Sequence, residues 1–454
     1  MFRFASRSIR SMSMHTKKPA QPLITIVGAT GTGKSDLAVE IATRFNGEII
    51  NGDAMQLYDG LPIVTNKLPV SDRKGVPHHL LGCISLNEPT WTVGNFVKKA
   101  VREIEGIKSR GKIPILVGGT HYYTQALLFD GRLVSDDEDE TRRDEQESVD
   151  LSILDEPTDV ILAKLREVDP VMADRWHPND RRKIQRSLEI FLRSGKSASK
   201  TYEDQMLNCQ PDLRYETLIF WIHASKEALF PRLDTRVQKM IQSGLQEEVQ
   251  TLEDLRQKME ATGLTVDLTR GIWVSIGYKE FREYQKFVDE AELPESELLK
   301  MKAYAIERTQ AATRRYSNRQ IRWIRIKLLN ALARANAMRN IFLLDGSDLS
   351  KWPDNVLNPA IDIVAKFLRE ERLPDPTTLS ETAAEYLVPK VNDVSVDRNL
   401  WERRTCSICG VTAVTTVDWE KHTKSHGHRK AISANIKRER SARLTNTAGT
   451  VGQL

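Results

Sequence analysis

Short apolar runs alternate with helical patterns along most of the chain. The runs lie at residues 23–27, 48–51, 113–117, 216–222 and 340–344, and the segments between them show the periodicity of amphipathic helices. Continuous apolar strands separated by helices are typical of a parallel sheet covered by helices on both faces. The pattern therefore predicts an α/β fold class for the core.

Three regions depart from this alternation. One long region has no clear strand and is predicted to be a helical insertion. A stretch rich in proline, threonine and acidic residues predicts a linker, and a cysteine–histidine segment follows it. The predicted division is core residues 21–130 and 211–373, insertion 131–210, linker 374–400, cysteine–histidine module 401–432 and basic tail 433–454.

The segment that joins the first apolar run to the first helix reads GATGTGKS. This is a phosphate-binding P-loop, in which glycines let backbone N–H groups surround a diphosphate and the next helix offers its positive end. Lys34 would neutralise phosphate charge, and Ser35 would hold Mg²⁺. A plain glycine turn would not explain the Gly33-Lys34-Ser35 sequence. The predicted diphosphate-binding residues are Gly28, Ala29, Thr30, Gly31, Thr32, Gly33, Lys34 and Ser35.

The position of the nearest acid separates this chain from ordinary nucleotide hydrolases. Those enzymes need a second strand that ends in an Asp supporting the metal. Here the strand at 113–117 ends in Gly118, whereas Asp53 follows the strand at 48–51. Ligands of doubly wound sheets bind at the carboxyl ends of the strands, so we expect Asp53 beside the P-loop. A helix N-cap is the alternative role for this residue.

Seven ordered motifs lie within about 300 residues: GATGTGKS, DAMQLYDGLPIVTNK from Asp53, GGTHYYTQALL from Gly118, NDRRKIQRSLEIF from Asn179, LDTRVQKMIQSGLQEEV from Leu233, GIWVSIGYKEF from Gly271 and TRRYSNRQIRWIR from Thr313. Together they resemble the tRNA dimethylallyltransferases, also called tRNA isopentenyltransferases. The chain departs from the family pattern at Gly52, where Ser is usual, and at Asn318, where a basic residue is common. The C-terminal cysteine–histidine module resembles the eukaryotic branch of the family.

The resemblance implies a prenyl transfer to RNA. A dimethylallyl group would pass from dimethylallyl diphosphate to N6 of an adenosine beside the anticodon, in tRNAs that read codons starting with U. Asp53 would accept a hydrogen bond or proton from the weakly nucleophilic amino group. Thr30 would hydrogen-bond the bridging oxygen, and Arg236 would stabilise charge on the leaving diphosphate. The products would be N6-isopentenyladenosine and diphosphate.

The same motifs contain residues suited to a flipped base and the surrounding anticodon stem-loop. Gln56 and Thr120 are candidates for reading the base edge. Arginines interleaved with rings near the end of the last motif suit a nucleic-acid groove. Tyr122 and Tyr123 are both stacking candidates, although we expect one of them to be core. The predicted tRNA-binding residues are Asp53, Ala54, Met55, Gln56, Thr120, Arg182, Lys183, Arg186, Arg319, Gln320 and Trp323.

A metal-binding spacing occurs near the C-terminus. Cys406 and Cys409 are followed after 12 residues by His422, and then by His426 and His428. Two Cys and two His at this spacing suit tetrahedral Zn²⁺, which should fold so small a module. His426 would share a helix face with His422, whereas His428 gives the gap of matrin-like fingers that bind RNA. We favour His428 and leave both open.

The composition of the chain bears on its location in the cell rather than on its activity. The 454 residues carry a net charge of +5 and contain no stretch near the roughly 18 apolar residues of a membrane span. Residues 1–20 are rich in arginine and serine and lack acids, as in mitochondrial presequences. Later starts at Met12 or Met14 would give a cytoplasmic form, and the basic tail allows a nuclear pool. The family acts as a monomer, which we also expect here.

Two other functions use the same sequence features. A nucleotide-dependent kinase or ATPase is disfavoured by Gly118, which stands where a metal-supporting acid belongs. An RNA-binding adaptor with an inactive core is disfavoured by the intact P-loop, Asp53 and Arg236.

Overall fold

The computed structural model describes residues 22–130, 150–208, 212–290, 294–389 and 401–436. The predicted presequence, the last part of the predicted linker and most of the basic tail lie outside the described residues. The chain divides into two compact units. The first contains residues up to Phe129, Leu213–Ile324 and Asn336–Leu387, and the second contains Asp130–Asp212, Arg325–Ala335 and residues from Val388.

A six-stranded parallel sheet forms the centre of the first unit. Its strands in chain order are β1 (Pro22–Gly28), β2 (Gly47–Asn51), β3 (His78–His79), β4 (Ile113–Val117), β5 (Glu216–His223) and β6 (Ile341–Asp345). Their order in the sheet is β3-β2-β4-β1-β5-β6, and every neighbouring pair is parallel. The predicted α/β class is therefore confirmed.

Helices account for most of the remaining described chain. They are α1 (Lys34–Arg44), α2 (Val93–Ser109), α3 (His121–Leu128), α4 (Thr158–Val168), α5 (Pro170–Arg175), α6 (Arg181–Ser194), α7 (Ala198–Asn208), α8 (Lys226–Gln242), α9 (Leu245–Ala261), α10 (Tyr278–Glu290), α11 (Glu295–Trp323), α12 (Leu329–Arg334), α13 (Asn358–Leu368), α14 (Glu381–Tyr386) and α15 (Thr416–Thr423). None of the helices in the described part of the chain combines the length and apolar character needed to cross a membrane.

The main core lies between the sheet and helices α1 and α13. Ile24 and Ile26 of β1 pack with Leu37 of α1 and Ile363 of α13 in one buried cluster. All residues of β1 from its second position onwards are buried, which explains why this strand reads as a continuous apolar run. Burial of this apolar surface stabilises the sheet whose carboxyl edge carries the P-loop.

The segment after α13 is part of the first unit as far as Leu387. Helix α14 lies there, and Thr382 Oγ1 donates to Asp345 Oδ2 at the end of β6 over 2.9 Å. Ala383 and Leu387 are buried. The prediction of a linker beginning at 374 was therefore wrong for residues 374–387. Its threonines and acids form helix caps and tertiary contacts, which composition alone does not distinguish from a linker.

The second unit contains a small helical core and a hairpin. Ile161 and Leu165 of α4 pack with Ile184 and Leu188 of α6. The antiparallel strands β7 (Trp401–Thr405) and β8 (Thr412–Thr415) precede α15, and residues 426–436 are again helical.

Candidate active site

The P-loop adopts a conformation that requires glycine at its two ends. At Gly28 a Cβ would lie 2.4 Å from the carbonyl oxygen of Ile222 on β5. Gly33 has a φ of +86° and immediately precedes α1, where no side chain caps the helix. Among the described residues no side chain therefore caps the N–H groups of the first turn of α1, which suits an anion.

Two polar side chains follow in the first turn of α1. Lys34 Nζ donates to the carbonyl oxygen of Ala29 over 2.7 Å. Burial lowers the pKa of Lys34 to about 8, the charge of Asp53 opposes this, and Arg236 lowers it further. Among the described residues the hydroxyl of Ser35 has no hydrogen-bond partner. Lys34 and Ser35 are thus placed as a phosphate site of this type requires.

Asp53 lies just beyond β2 and is fixed by the backbone around it. The Asn51 side chain accepts from the Asp53 N–H and donates to its carbonyl oxygen, each over 3.0 Å. Asp53 Oδ1 accepts from the Met55 N–H at 3.0 Å, so the residue caps its own turn. Burial raises the pKa of Asp53, opposed by that hydrogen bond and by Lys34 and Arg236.

Arg236 links helix α8 to the P-loop. Its Nη1 donates to Thr30 Oγ1 over 2.8 Å. Burial lowers the pKa of Arg236 to about 10, while the charge of Asp53 raises it. The guanidinium remains protonated at neutral pH. The structure thus brings together the three residues predicted to be catalytic, Thr30, Arg236 and Asp53.

The loop after β4 packs closely against the segment that carries Asp53. A Cβ at Gly118 would lie 2.2 Å from the carbonyl carbon of Gly52, so a side chain does not fit there. A Cβ at Gly52 would lie 3.3 Å from Leu116 Cδ1, so the Ser usual in the family would need only a small shift. Thr120 Oγ1 accepts from the Ala54 N–H over 2.9 Å.

Gln320 on α11 lies inside this site, with both ends of its amide bonded to the protein. Oε1 accepts from the Thr30 N–H at 2.8 Å, and Nε2 donates to the Gly119 carbonyl at 2.9 Å. The predicted tRNA contact of Gln320 stays a prediction. Sequence reasoning missed its link to the P-loop because the two residues are 290 positions apart.

His121 is a second polar residue that sequence reasoning did not single out. It begins α3, it is buried, and neither ring nitrogen has a hydrogen-bond partner within normal geometry among the described residues. Burial lowers its pKa to about 3, Lys34 lowers it further, and the Gly28 carbonyl acts in the opposite direction. The imidazole is therefore neutral, and it adds no charge beside the P-loop.

The cysteine–histidine module brings four ligand atoms together. Those of Cys406, Cys409, His422 and His428 all lie within 4.8 Å of one another. Cys409 Sγ is 3.3 Å from His422 Nε2, and Cys406 Sγ is 3.7 Å from His428 Nδ1. Ligands about 2.0–2.3 Å from a tetrahedral Zn²⁺ are separated by roughly 3.5 Å. The cluster includes His428 rather than His426.

Comparison with known proteins assigns the family. The family model for IPP transferase matches residues 56–327. The chain belongs to the IPP transferase family. Its relatives include the tRNA dimethylallyltransferases of Saccharomyces cerevisiae, with 34% identity over 92% of this chain and 94% of the relative, and of Homo sapiens, with 33% identity over 90% and 85%. A solved structure of a eukaryotic dimethylallyltransferase acting on tRNA has a TM-score of 0.74 and 33% identity, covering 94% of this chain and all of that one.

The residues predicted to hold a base in this IPP transferase differ in their contacts and exposure. Gln56 Nε2 donates to the Asn66 carbonyl oxygen over 2.8 Å. Tyr122 is half exposed and meets the Trp323 ring edge to face, with centroids 5.9 Å apart. Tyr123 is buried, so the prediction that one of the two tyrosines is core is confirmed.

Four of the predicted tRNA contacts are cationic. Arg319 is exposed and lies over the Tyr316 ring. In the second unit, Arg182 is exposed, Lys183 pairs with Asp180, and Arg186 pairs with Glu189 at 3.0 Å. Surface ion pairs of this kind are weak. Lys183 and Arg186 could therefore leave their carboxylate partners and contact phosphate groups instead.

Proposed function

We propose that the protein transfers a dimethylallyl group from dimethylallyl diphosphate to N6 of an adenosine beside the anticodon of tRNA, acting as a monomer. The observation that carries the proposal is the convergence of the Thr30–Arg236 pair and Asp53 on one P-loop. The relatives named tRNA dimethylallyltransferase support the same reaction for this chain. We also propose that its substrates are tRNAs reading codons that start with U.

The reaction exchanges one bond for another. The bond between C1 of the dimethylallyl group and the bridging oxygen breaks, and the diphosphate leaves with the electron pair. The lone pair of N6 forms the new bond to C1, and the Asp53 carboxylate accepts the N6 proton. Thr30 Oγ1 can donate to the bridging oxygen because Arg236 Nη1 occupies its acceptor side at 2.8 Å. Charge on the diphosphate is stabilised by Lys34, Arg236 and the loop N–H groups.

Mg²⁺ is the cofactor that we propose for diphosphate binding. The hydroxyl of Ser35 lies in the first turn of α1 and has no hydrogen-bond partner in the described part of the chain, so it fits the role of a ligand. When bound with the donor, Mg²⁺ would neutralise part of the diphosphate charge. The protein residues named above still carry the positioning of donor and acceptor.

Transfer from a diphosphate is favoured over nucleotide hydrolysis by the contact at Gly118. A metal-supporting acid at that position would place its Cβ 2.2 Å from the Gly52 carbonyl carbon. Real Cβ atoms do not approach a backbone atom so closely, so the second acid of a nucleotide hydrolase does not fit at the end of β4.

We further propose that the four-ligand cluster binds Zn²⁺ and that the module contacts tRNA. A set of two thiolates and two imidazoles is a common structural zinc site. The module also lies against the helical insertion, because Arg175 stacks over both the Trp176 and Trp401 rings at 4.7 and 4.4 Å. Zinc would therefore order a module that packs beside α5.

The deciding experiment combines transfer and binding. Purified protein is incubated with Mg²⁺, dimethylallyl diphosphate and unmodified tRNA. The tRNA is then digested, and its nucleosides are identified by mass spectrometry. We expect isopentenyladenosine with the wild type, and a loss of about 10²–10⁴-fold in rate with Asp53→Asn while tRNA binding persists. Asp254→Asn, at an exposed position on α9, is the control and should keep the wild-type rate.

Two results would reject the proposal. A wild-type protein that binds tRNA and forms no product would favour the adaptor function. Hydrolysis of ATP, supplied in place of dimethylallyl diphosphate, by a protein that forms no isopentenyladenosine would favour a nucleotide hydrolase. A wild-type rate for Asp53→Asn would reject Asp53 as the base.

A further inference from the structure

The Gln320 side chain joins two loops that reach the active site from different strands. The P-loop follows β1, and the Gly119 loop follows β4. The Gln320 amide lies between them, 4% exposed, and bonds to both loops at 2.8 and 2.9 Å. Tyr316, one turn earlier on α11, also reaches the Gly119 carbonyl at 3.4 Å. Helix α11 thus bridges the site.

Only a carboxamide satisfies both loops at once. The Thr30 N–H needs an acceptor, and the Gly119 carbonyl needs a donor. A glutamine side chain provides one of each, whereas a carboxylate would place an oxygen against the Gly119 carbonyl oxygen. A buried apolar side chain would leave the Thr30 N–H unpaired and the Gly119 carbonyl with only the 3.4 Å contact from Tyr316, which is unfavourable. The pairing therefore also determines which end of the amide faces which loop.

Each loop contacts a catalytic residue close to its bond with Gln320. Thr30, whose N–H binds Gln320, receives the Arg236 guanidinium on its Oγ1. On the other side, a Cβ at Gly119 would lie 2.9 Å from Asp53 Oδ2, so the carboxylate rests against the Gly119 backbone. A change in the distance between the two loops would therefore change the distance between Thr30, on the side of the leaving diphosphate, and the Asp53 carboxylate.

We propose that Gln320 is a positioning residue that sets the distance between the P-loop and Asp53, and so aligns C1 of the donor with N6 of the acceptor. The inference rests on the proposed transfer reaction and adds to it a residue that touches neither reacting atom.

The helix that carries Gln320 is itself fixed to the helix that carries Arg236. Arg314 on α11 pairs with Asp234 on α8. Gln310, about one turn before Arg314 on α11, makes only a 3.4 Å contact with the Asp234 carbonyl oxygen. Gln320 therefore projects from a helix whose position relative to Arg236 is already set.

Since Gln320 occupies the Thr30 N–H, that group is not available to the diphosphate. Donor affinity then depends on Lys34 and on the loop N–H groups that follow Thr30. A positioning role predicts a change in kcat with little change in KM for the donor, because alignment matters only once both substrates are bound.

The test uses Gln320→Met, which keeps the volume and removes both hydrogen bonds. We expect kcat to fall about 100-fold, the scale of a misplacement near 1 Å. The KM for dimethylallyl diphosphate and the Kd for tRNA should stay within about threefold. Gln310→Met is the matched control on the same helix, about 15 Å away, and should keep the wild-type kcat.

A second variant, Gln320→Glu, has a different signature. It keeps an acceptor for the Thr30 N–H and adds a second carboxylate beside that of Asp53. The charged and titratable groups that face Asp53 are the cations Lys34 and Arg236 and the neutral Tyr316. The added negative charge disfavours ionisation of Asp53. The acidic limb of the kcat–pH profile should therefore move to higher pH, an effect that lost packing alone would not produce. If Gln320→Met does not fold, the kcat–pH profile of Gln320→Glu alone tests the role of Gln320.

The inference is overturned if Gln320→Met retains the wild-type kcat, since Gln320 would then be ordinary core. It is equally overturned if Gln320→Met changes only the KM for the donor, or if the acidic limb of the kcat–pH profile of Gln320→Glu stays at the wild-type pH. Absence of product with the wild type rejects the proposed function itself, whereas an active wild type with an equally active Gln320→Met rejects only the positioning role.

Discussion

The carboxylate of Glu48, at the start of β2, offers a quantitative test of the electrostatics of the first unit. Its side chain is 4% exposed and contacts three basic groups: Arg110 Nη2 at 2.6 Å, Lys112 Nζ at 2.8 Å and His79 Nε2 at 2.6 Å. Burial alone would raise the pKa of Glu48. The hydrogen bonds from Arg110, Lys112 and His79 outweigh burial and lower the pKa from 4.5 to about 2.

This lowered pKa sets the size and the pH range of the effect. A tenfold change in proton affinity corresponds to about 1.4 kcal/mol, so the interaction is worth roughly 3 kcal/mol at most. Exposure of Arg110 and Lys112 to solvent reduces this to about 2 kcal/mol. Because the pKa of Glu48 is lower in the folded state, the stabilisation is complete above pH 4.5. It is lost as the pH falls through 4.5 towards 2.

The perturbation is Glu48→Gln, followed by denaturant unfolding and circular dichroism. At pH 7 we expect the free energy of unfolding to fall by about 2 kcal/mol, and near pH 3 the difference from wild type should be roughly halved. Glu297→Gln, which removes an exposed pair with Lys300, should change stability by less than about 0.5 kcal/mol. A difference that is equal at pH 7 and pH 3 would refute the reasoning, as would equal stability at pH 7.

Three further outcomes are expected. Arg236→Lys should lower kcat about 100-fold, because a single ammonium cannot reproduce the guanidinium contact with Thr30 Oγ1; a rate within threefold of wild type would contradict this. His428→Ala should abolish one-to-one zinc binding to the cluster, measured by metal analysis, whereas His426→Ala should retain it; the opposite result would reassign the fourth ligand. Glu248→Gln should lower the free energy of unfolding by about 1–2 kcal/mol, since Glu248 accepts from two backbone N–H groups at 2.9 and 2.7 Å and a carboxamide oxygen accepts only one of them well; unchanged thermal unfolding would exclude that role.

The sheet and the P-loop were predictable because local sequence determines them. Long apolar runs mark the buried strands, and glycine spacing marks the loop. The two-residue strand β3 has no such signal, since it pairs with β2 through His78 and His79, and Glu48 binds His79 from the neighbouring strand. Contacts of this kind are set by the tertiary fold and leave no periodic pattern.

The candidate site shows the same division. The P-loop and Asp53 could be identified from motifs and from the edge of a parallel sheet. The amide of Gln320 could not be placed, because its partners Thr30 and Gly119 are distant in sequence. His121 was equally hidden, since a histidine opening a helix reads as a polar cap and its burial follows from packing.

The contact between Gly118 and Gly52 limits the activities that single substitutions at this active site can produce. Every L-amino acid at position 118 would force the ends of β2 and β4 apart, because its Cβ would meet the Gly52 backbone at 2.2 Å. A metal-supporting acid therefore cannot be introduced there by a single codon change without displacing Asp53. Directed evolution towards nucleotide hydrolysis would have to remodel both strand ends together, whereas changes in donor chain length leave this backbone contact untouched.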